Sequence, residues 1–306
     1  MGFSLGLVRN GVTAAVCGLL GRCFMVVAVV AVAVSGLAVG AAKAGADSAP
    51  TSPLRIGLLP TIATLSLLRL YDPLRLHLQD SLGRPVELYT SGSFHDYLDD
   101  VREETFDIIV TAPHFGVIAA DHGYVPLFRY KLELRPLIIV PKGSDIRSAS
   151  QLRGKRVLTA DRLTALSVVA ELWLRSDHGL VAGRDYQLVE ASNHSTAIRA
   201  VALGEADAAI SGRSPLAQVP PEISGRVETF ECRLTVPHQF TMAHPRLGAE
   251  TVEAIRRSLA AFDGTERGKA FLKAGGFLGL IPIEFSDIET ARPYASVVDH
   301  PERKRP

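Results

Sequence analysis

A segment that occurs twice, one hundred residues apart, constrains the fold of this chain more than any other feature. The copies are YLDDVREETFDIIVTAP at 97–113 and AIRAVALGEADAAISGR at 197–213, with Asp107 and Asp207 in matching positions. Each copy has apolar residues at helical spacing, then a turn, a short apolar strand and a small polar loop. This order is typical of an α/β unit whose strand ends at a ligand cleft.

The match extends upstream of both copies. Residues 54–59 and 156–158 are strand-like, and each strand is followed by a short turn, a helical run, a second strand and a serine-containing turn. The sequence therefore predicts an α/β fold with two lobes of similar plan, although ordinary βαβ units can also match by chance. At 306 residues the chain is long enough for two lobes with sizeable cores.

Residues 1–46 have the pattern of a secretory signal peptide. Arg9 and Arg22 precede an apolar run at 24–42, and small-x-small cleavage sites end at Ala44 and Ala46. An uncleaved membrane anchor is the alternative, because an apolar run of nineteen residues can just span a bilayer. We therefore predict a periplasmic protein secreted across the inner membrane, with a cleaved signal or a retained N-terminal anchor.

The charge balance and the cysteines exclude two classes of function. Removal of residues 1–46 leaves 30 basic and 32 acidic residues, a formal charge of −2. Such a chain has no basic stripe to neutralise a phosphate backbone, which argues against a nucleic-acid partner. Cys232 is then the single cysteine, so the chain has no thiol pair for a disulfide or a metal. We interpret Cys232 as a buried strand residue, with a nucleophilic role as the alternative.

The order of the elements predicts where the chain passes between the lobes. Turn-forming residues at 141–145 place the first crossing near 140–146. The predicted organisation is a signal peptide at 1–46, a tether at 47–53, a discontinuous lobe 1 at 54–142 and 235–295, a lobe 2 at 143–234 and a C-terminal tail at 296–306.

Hydroxyl, imidazole and guanidinium side chains follow the strands in both lobes. Helix N-termini present unpaired N–H groups and a partial positive charge, so a cleft lined by them suits an anion. Hydroxyls, imidazoles and guanidinium groups can donate hydrogen bonds to it. The predicted ligand-binding residues are Thr61, Thr111, His114, Thr164, His194, Ser195 and Arg213. Each has an ordinary alternative as a helix cap, a turn former or a solvated loop residue.

No sequence motif supports catalysis or a cofactor. The chain lacks a G-x-S-x-G elbow, an H-E-x-x-H pair, a Walker loop and a G-x-G-x-x-G turn. Its scattered histidines lack the spacing of a metal site. We therefore expect a binding protein with no catalytic residue, no cofactor and no metal.

Five short motifs carry a resemblance to a known family. They are RIGLLP at 55–60, FDI and AP at 106–113, LRGKRV at 152–157, NH at 193–194 and GEADAA at 204–209. With them, the chain resembles the phosphate/phosphite/phosphonate-binding (PhnD-like) periplasmic solute-binding proteins of ABC transporters over about residues 54–290. The resemblance implies a type II periplasmic-binding-protein fold, in which two α/β lobes joined by two crossovers close on a ligand.

The resemblance also implies roles for particular residues. His194 matches the family histidine that contacts phosphonate oxygens, and Thr164 lies in the family's Ser-Thr-Ser-Gly anion loop. Positions 163–166 read LTAL, however, so most hydroxyls of that loop are missing. In lobe 1, Gly116 stands where an aromatic residue is expected. The ligand is therefore expected to be a phosphonate- or phosphate-like oxyanion or a related organic anion.

These observations together predict an exported solute-binding protein that captures a small oxyanion by hinge closure for an ABC importer. The expected partners are the anionic ligand and a membrane permease, and the expected state is a monomer. A binding protein that reports to a membrane sensor kinase is the first alternative, since it would use the same fold. An enzyme on the same fold is the second.

Overall fold

The computed structural model describes residues 52–298, and these form one compact unit. The predicted signal peptide, most of the tether and the end of the predicted tail lie outside the described residues. Within residues 52–298, no helix combines the length and the hydrophobicity needed to cross a membrane.

Residues 52–298 form thirteen β-strands, ten α-helices and two short 3-10 helices. The strands are β1 (Leu54–Leu58), β2 (Val86–Thr90), β3 (Ile108–Thr111), β4 (Val125–Tyr130), β5 (Glu133–Leu134), β6 (Leu137–Pro141), β7 (Arg156–Thr159), β8 (Gln187–Glu190), β9 (Ala208–Ser211), β10 (Val227–Glu231), β11 (Val236–Pro237), β12 (Phe240–Ala243) and β13 (Leu280–Pro282). The α-helices are α1 (Thr64–Leu82), α2 (Phe94–Arg102), α3 (Pro113–Asp121), α4 (Ala165–His178), α5 (His194–Ala202), α6 (Arg213–Gln218), α7 (Pro221–Ser224), α8 (Ala249–Phe262), α9 (Glu266–Gly275) and α10 (Phe285–Val298).

Two sheets repeat one plan. The first has the order β13-β4-β12-β3-β1-β2, and the second has the order β10-β6-β9-β7-β8. In the first, β1 pairs in parallel with β2 and β3; in the second, β7 pairs in parallel with β8 and β9. In the first sheet, β12 pairs antiparallel with β3 and with β4. In the second sheet, β6 likewise pairs antiparallel with β9 and with β10. The two-lobe α/β fold predicted from the duplicated segment is confirmed.

The repeated aspartates explain part of the sequence repeat. Asp107 accepts a hydrogen bond from the backbone N–H of Arg55 at 2.9 Å, and Asp207 accepts one from the N–H of Arg156 at 2.8 Å. In both lobes the carboxylate thus satisfies a backbone donor at the amino end of the central parallel strand. The polar loops lie at the opposite end of each sheet, where the parallel strands have their carboxyl ends.

The strand β6 corrects the predicted position of the first crossing. We placed the crossing near 140–146 and so assigned residues 134–140 to lobe 1, but β6 pairs with β9 and β10 of the second sheet. An apolar strand has the same pattern in either sheet, so the pattern cannot assign its partner. We propose that the lobes divide at 131–136 and 232–239, where β5 pairs with β11.

Apolar clusters fill the layers on the faces of the sheets. Helices α1, α8 and α9 cover one face of the first sheet, and α5 and α7 cover one face of the second. The largest cluster continues from α3 through α10 to α4 and therefore joins the two lobes. The helix α10 extends into the predicted tail at 296–298, because Val298 is buried in this shared cluster.

Candidate functional site

A cavity of about 1060 Å³ lies at the carboxyl ends of the parallel strands of both sheets. Its walls include residues that directly follow β1, β2, β3, β7 and β8, together with residues of the two crossover segments. Ligands of open α/β sheets bind at this end of the strands. The cavity between the lobes is therefore the candidate site.

Four helices of at least nine residues begin at the cavity wall: α1, α2, α4 and α5. Within residues 52–298, no hydrogen bond uses the backbone N–H groups of the first two residues of α1, α4 or α5. These residues are Thr64 and Leu65, Ala165 and Leu166, and His194 and Ser195. Free donors and the positive end of the helix dipole make these turns suitable for an anion.

His194 lines the cavity, and a serine hydroxyl forms a hydrogen bond with its ring. Its Nδ1 lies 3.1 Å from the hydroxyl of Ser211, which is fully buried at the end of β9. Burial lowers the pKa of His194 to about 4, so the imidazole is neutral at pH 7. When the Ser211 hydroxyl donates to Nδ1, the proton of the ring is on Nε2, which makes no hydrogen bond within residues 52–298.

Thr164 and Thr61 also line the cavity, with different roles. The Thr164 hydroxyl accepts from the backbone N–H of Ser167 at 3.2 Å and donates to the backbone oxygen of Asp161 at 3.0 Å. It therefore caps α4 and leaves the first two backbone N–H groups of that helix without a hydrogen bond within residues 52–298. Thr61 is exposed in the turn before α1, and its hydroxyl makes no hydrogen bond within the described part of the chain.

Four predicted site residues do not line the cavity. Thr111 and His114 are fully buried, and His114 Nε2 lies 2.9 Å from the backbone oxygen of Leu163 in the other lobe. The side chain of Arg213 is 80% exposed and pairs with Glu231 at 2.5 Å instead of forming a clamp. Ser195 lies in the first turn of α5, outside the lining. The sequence indicated proximity to a strand end, but it does not indicate the direction of the side chain.

The cavity wall contains charged residues that the sequence analysis did not select. Among the described lining residues, Arg69 is the one arginine, and it makes no ion pair within residues 52–298. Asp161 and Glu190 are the acidic members of the lining, and they accept backbone N–H bonds from Leu163 at 2.7 Å and Arg162 at 2.9 Å. Arg69 follows Leu65 of the first turn of α1 by four residues. This helical spacing was the sequence signal that could have placed Arg69 near the cavity.

Aromatic rings form another part of the wall. His238 and Phe277 line the cavity, and their ring centroids are 5.8 Å apart. Phe277 stacks on Tyr130 at a centroid distance of 3.9 Å. Burial, with a smaller contribution from the charge of Arg129, lowers the pKa of His238 to about 4. This second imidazole is therefore also neutral at pH 7.

The described residues contain no metal-binding group of three or more His, Cys, Asp or Glu side chains. Cys232 is fully buried, as predicted, but it directly follows β10 and is not part of the strand. Burial raises the pKa of its thiol to about 11. A thiol with this pKa is a poor nucleophile at neutral pH.

Comparisons with known proteins agree with this geometry. Residues 56–288 match the family described as "ABC transporter, phosphonate, periplasmic substrate-binding protein". The fold is similar to a binding protein component of an ABC phosphonate transporter from Pseudomonas aeruginosa, with a TM-score of 0.70 and 14% identity over 79% of this chain and 85% of that chain.

Two further solved structures share the fold. PhnD1 from Prochlorococcus marinus in complex with methylphosphonate has a TM-score of 0.69 and 14% identity, over 80% of this chain and 98% of that chain. The alkanesulfonate-binding protein SsuA from Xanthomonas axonopodis pv. citri bound to MOPS has a TM-score of 0.57 and 16% identity, over 85% of this chain and 96% of that chain.

Proposed function

Because the chain belongs to the periplasmic substrate-binding proteins of phosphonate ABC transporters, we propose that it captures an organic oxyanion between its lobes for delivery to a membrane permease. The proposed ligand is a phosphonate or a related anion such as a sulfonate. Export by the N-terminal segment and action as a monomer are part of the proposal.

The meeting of α4 and α5 at one cavity is the observation that carries the proposal. The free N–H groups of Ala165, Leu166 and His194, three lining residues, come from the first turns of these two helices. Neutral donors of this kind bind an oxyanion strongly enough for capture without fixing it by a full opposite charge. They also compensate for the hydroxyls that positions 163–166 lack.

Three side chains complete the proposed anion site. His194 donates from Nε2 while Ser211 positions its ring, Thr61 donates from its free hydroxyl, and Thr164 keeps the α4 turn open by capping it. Arg69, which lies on the second turn of α1, adds a positive charge to the lining.

We further propose that the ligand leaves chemically unchanged. Ser211 is the hydroxyl beside His194, but it is fully buried and does not line the cavity, so a ligand cannot reach it as a nucleophile. Ser211 orients the imidazole and does not form a catalytic pair with it.

Calorimetric titration of methylphosphonate, phosphate and a sulfonate into purified protein tests the proposal. His194→Ala should weaken binding of the best ligand by roughly 10- to 100-fold, the effect of losing one hydrogen bond to a charged group. Arg213→Ala is the matched control and should leave the affinity unchanged, because that side chain lies outside the cavity. No binding of any anion, or equal losses in the two variants, would refute the proposed site.

A further inference from the structure

The cavity has two chemically different parts. The anion part consists of the first turns of α4 and α5. The second part, which we name the aromatic chamber, consists of lining residues from α1, from the segment at the end of α9 and from the crossovers. These residues are Leu70, Tyr71, Leu134, His238, Ala274 and Phe277.

The Phe277 ring is held in place by its neighbours. It stacks on Tyr130 with an interplanar angle of 4°, and it lies over Gly275, where a Cβ would overlap the ring. Gly276 ends α9 in the left-handed conformation at φ 68°, which directs the chain back toward the cavity. The ring is therefore a preorganised wall, whose conformation a ligand does not have to fix.

The polar atoms of the aromatic chamber are largely bonded within the protein. The hydroxyl of Tyr71 lies 2.9 Å from that of Tyr130, and Nδ1 of His238 accepts from the backbone N–H of Gln239 at 2.8 Å. Besides the Nε2–H of His238, which makes no hydrogen bond within residues 52–298, rings and aliphatic groups are what remain for a guest. A methyl group or a phosphate ion would leave this surface in contact with water, whereas a flat apolar group would cover it.

The charges of the lining argue against a polyanion. The lining contains one arginine, Arg69, and two carboxylates, Asp161 and Glu190. The two histidines of the lining are neutral at pH 7. A ligand with several negative charges would meet repulsion here. The volume of about 1060 Å³ lies just above the usual range for drug-sized ligands, roughly 300–1,000 Å³.

We propose that the preferred ligand is an organic phosphonate or sulfonate with an aromatic or similarly flat apolar body, whose anionic group binds at α4 and α5 and whose body fills the aromatic chamber. This inference rests on the proposed function, because it takes the anionic end to bind at those helix termini.

A series of ligands with matched head groups tests the inference. Calorimetric titration of purified protein with methylphosphonate and phenylphosphonate compares a methyl and a phenyl substituent on the same phosphonate group. Benzenesulfonate keeps the phenyl ring and changes the anionic group. Phenylphosphonate should bind about tenfold or more tightly than methylphosphonate, because it buries an additional apolar ring. Equal affinities for the two phosphonates would overturn the inference and leave the proposed function intact. No binding of any of these anions would overturn both.

A variant that fills the aromatic chamber provides the second test. Ala274 is an exposed helical residue that lines the cavity, so Ala274→Trp should fold normally and occupy the chamber. The preference for phenylphosphonate should disappear, while the affinity for methylphosphonate stays within about twofold. Ala270→Trp, one turn earlier on the same helix, exposed and outside the lining, should keep the preference. Retention of the preference by Ala274→Trp would contradict the placement of the ligand body.

Discussion

Two neutral histidines line the cavity, His194 in the second lobe and His238 in the crossover at 232–239. Each has its pKa lowered to about 4, chiefly by burial. At neutral pH the cavity therefore offers donors and ring surfaces instead of imidazolium charges. This suits reversible capture, since a neutral donor can release an anion more readily than a buried cation can.

The depressed pKa of His194 predicts how stability depends on pH. An unperturbed histidine has a pKa near 6.5, so between about pH 6.5 and about pH 4 the unfolded chain binds more protons at this residue than the folded chain. The free energy of unfolding should therefore fall as the pH is lowered through this window. His194→Gln should make that fall smaller, as measured by urea unfolding at about pH 7.5 and about pH 5.

His122→Gln is the control for this measurement. His122 is exposed and lies outside the cavity, so its replacement should leave the pH dependence as in the unchanged protein. A His194→Gln variant with an undiminished fall in stability would show that the imidazole is not held neutral by its surroundings.

The residue scale is also where prediction from sequence succeeds least. His194, Thr164 and Thr61 reach the cavity, whereas Thr111 and His114 lie in the interior. The expected aromatic residue at 116 is a glycine because a Cβ there would lie 2.5 Å from the ring of Phe240. Aromatic rings reach the cavity from other segments instead, among them Phe277, far along the chain, which no local pattern could indicate.

At the scale of elements, helix caps determine which N–H groups face the cavity. The side chain of Asn193 accepts from the N–H of Thr196 at 2.9 Å and leaves the first turn of α5 free. Thr265 caps α9 in the same way through the N–H of Gly268 at 2.9 Å, but it does not line the cavity. The two caps therefore form a matched pair.

Replacing each cap with aspartate should separate stability from binding. A carboxylate still caps the helix and favours its dipole by about 0.3–1 kcal/mol, so neither Asn193→Asp nor Thr265→Asp should lower the melting temperature. At α5 the new charge stands beside the anion site, so phosphonate affinity should fall by about tenfold or more. At α9 it should not change. Calorimetric titration and thermal melts measure both, and an equal effect of the two variants on affinity would exclude an anion at α5.

Elements themselves were largely predictable, because each has a strong local pattern. The helices α1, α8 and α9 follow apolar spacing, and α1 and α9 end at the glycine caps Gly83 and Gly276. The strand β6 was assigned to the wrong lobe, because strand pairing is a long-range property that a local apolar run does not specify.

At the scale of the whole molecule, duplication explains the architecture. Each sheet is built from one parallel three-strand unit and additional antiparallel strands. One of these antiparallel strands directly follows a crossover, β12 in the first sheet and β6 in the second. The repeat with an offset of one hundred residues predicted this plan. The cluster shared by α3, α10 and α4 was not foreseen, since packing between lobes leaves no periodic signal.

We propose above that this protein binds an organic oxyanion between its lobes and releases it unchanged. Phosphorus NMR of phenylphosphonate titrated with purified protein measures binding and chemical fate together. We expect a saturable change of the phosphonate resonance at one ligand per chain, weakened by His194→Ala, with no inorganic phosphate formed. A resonance that does not change, or its conversion to inorganic phosphate, would contradict the account.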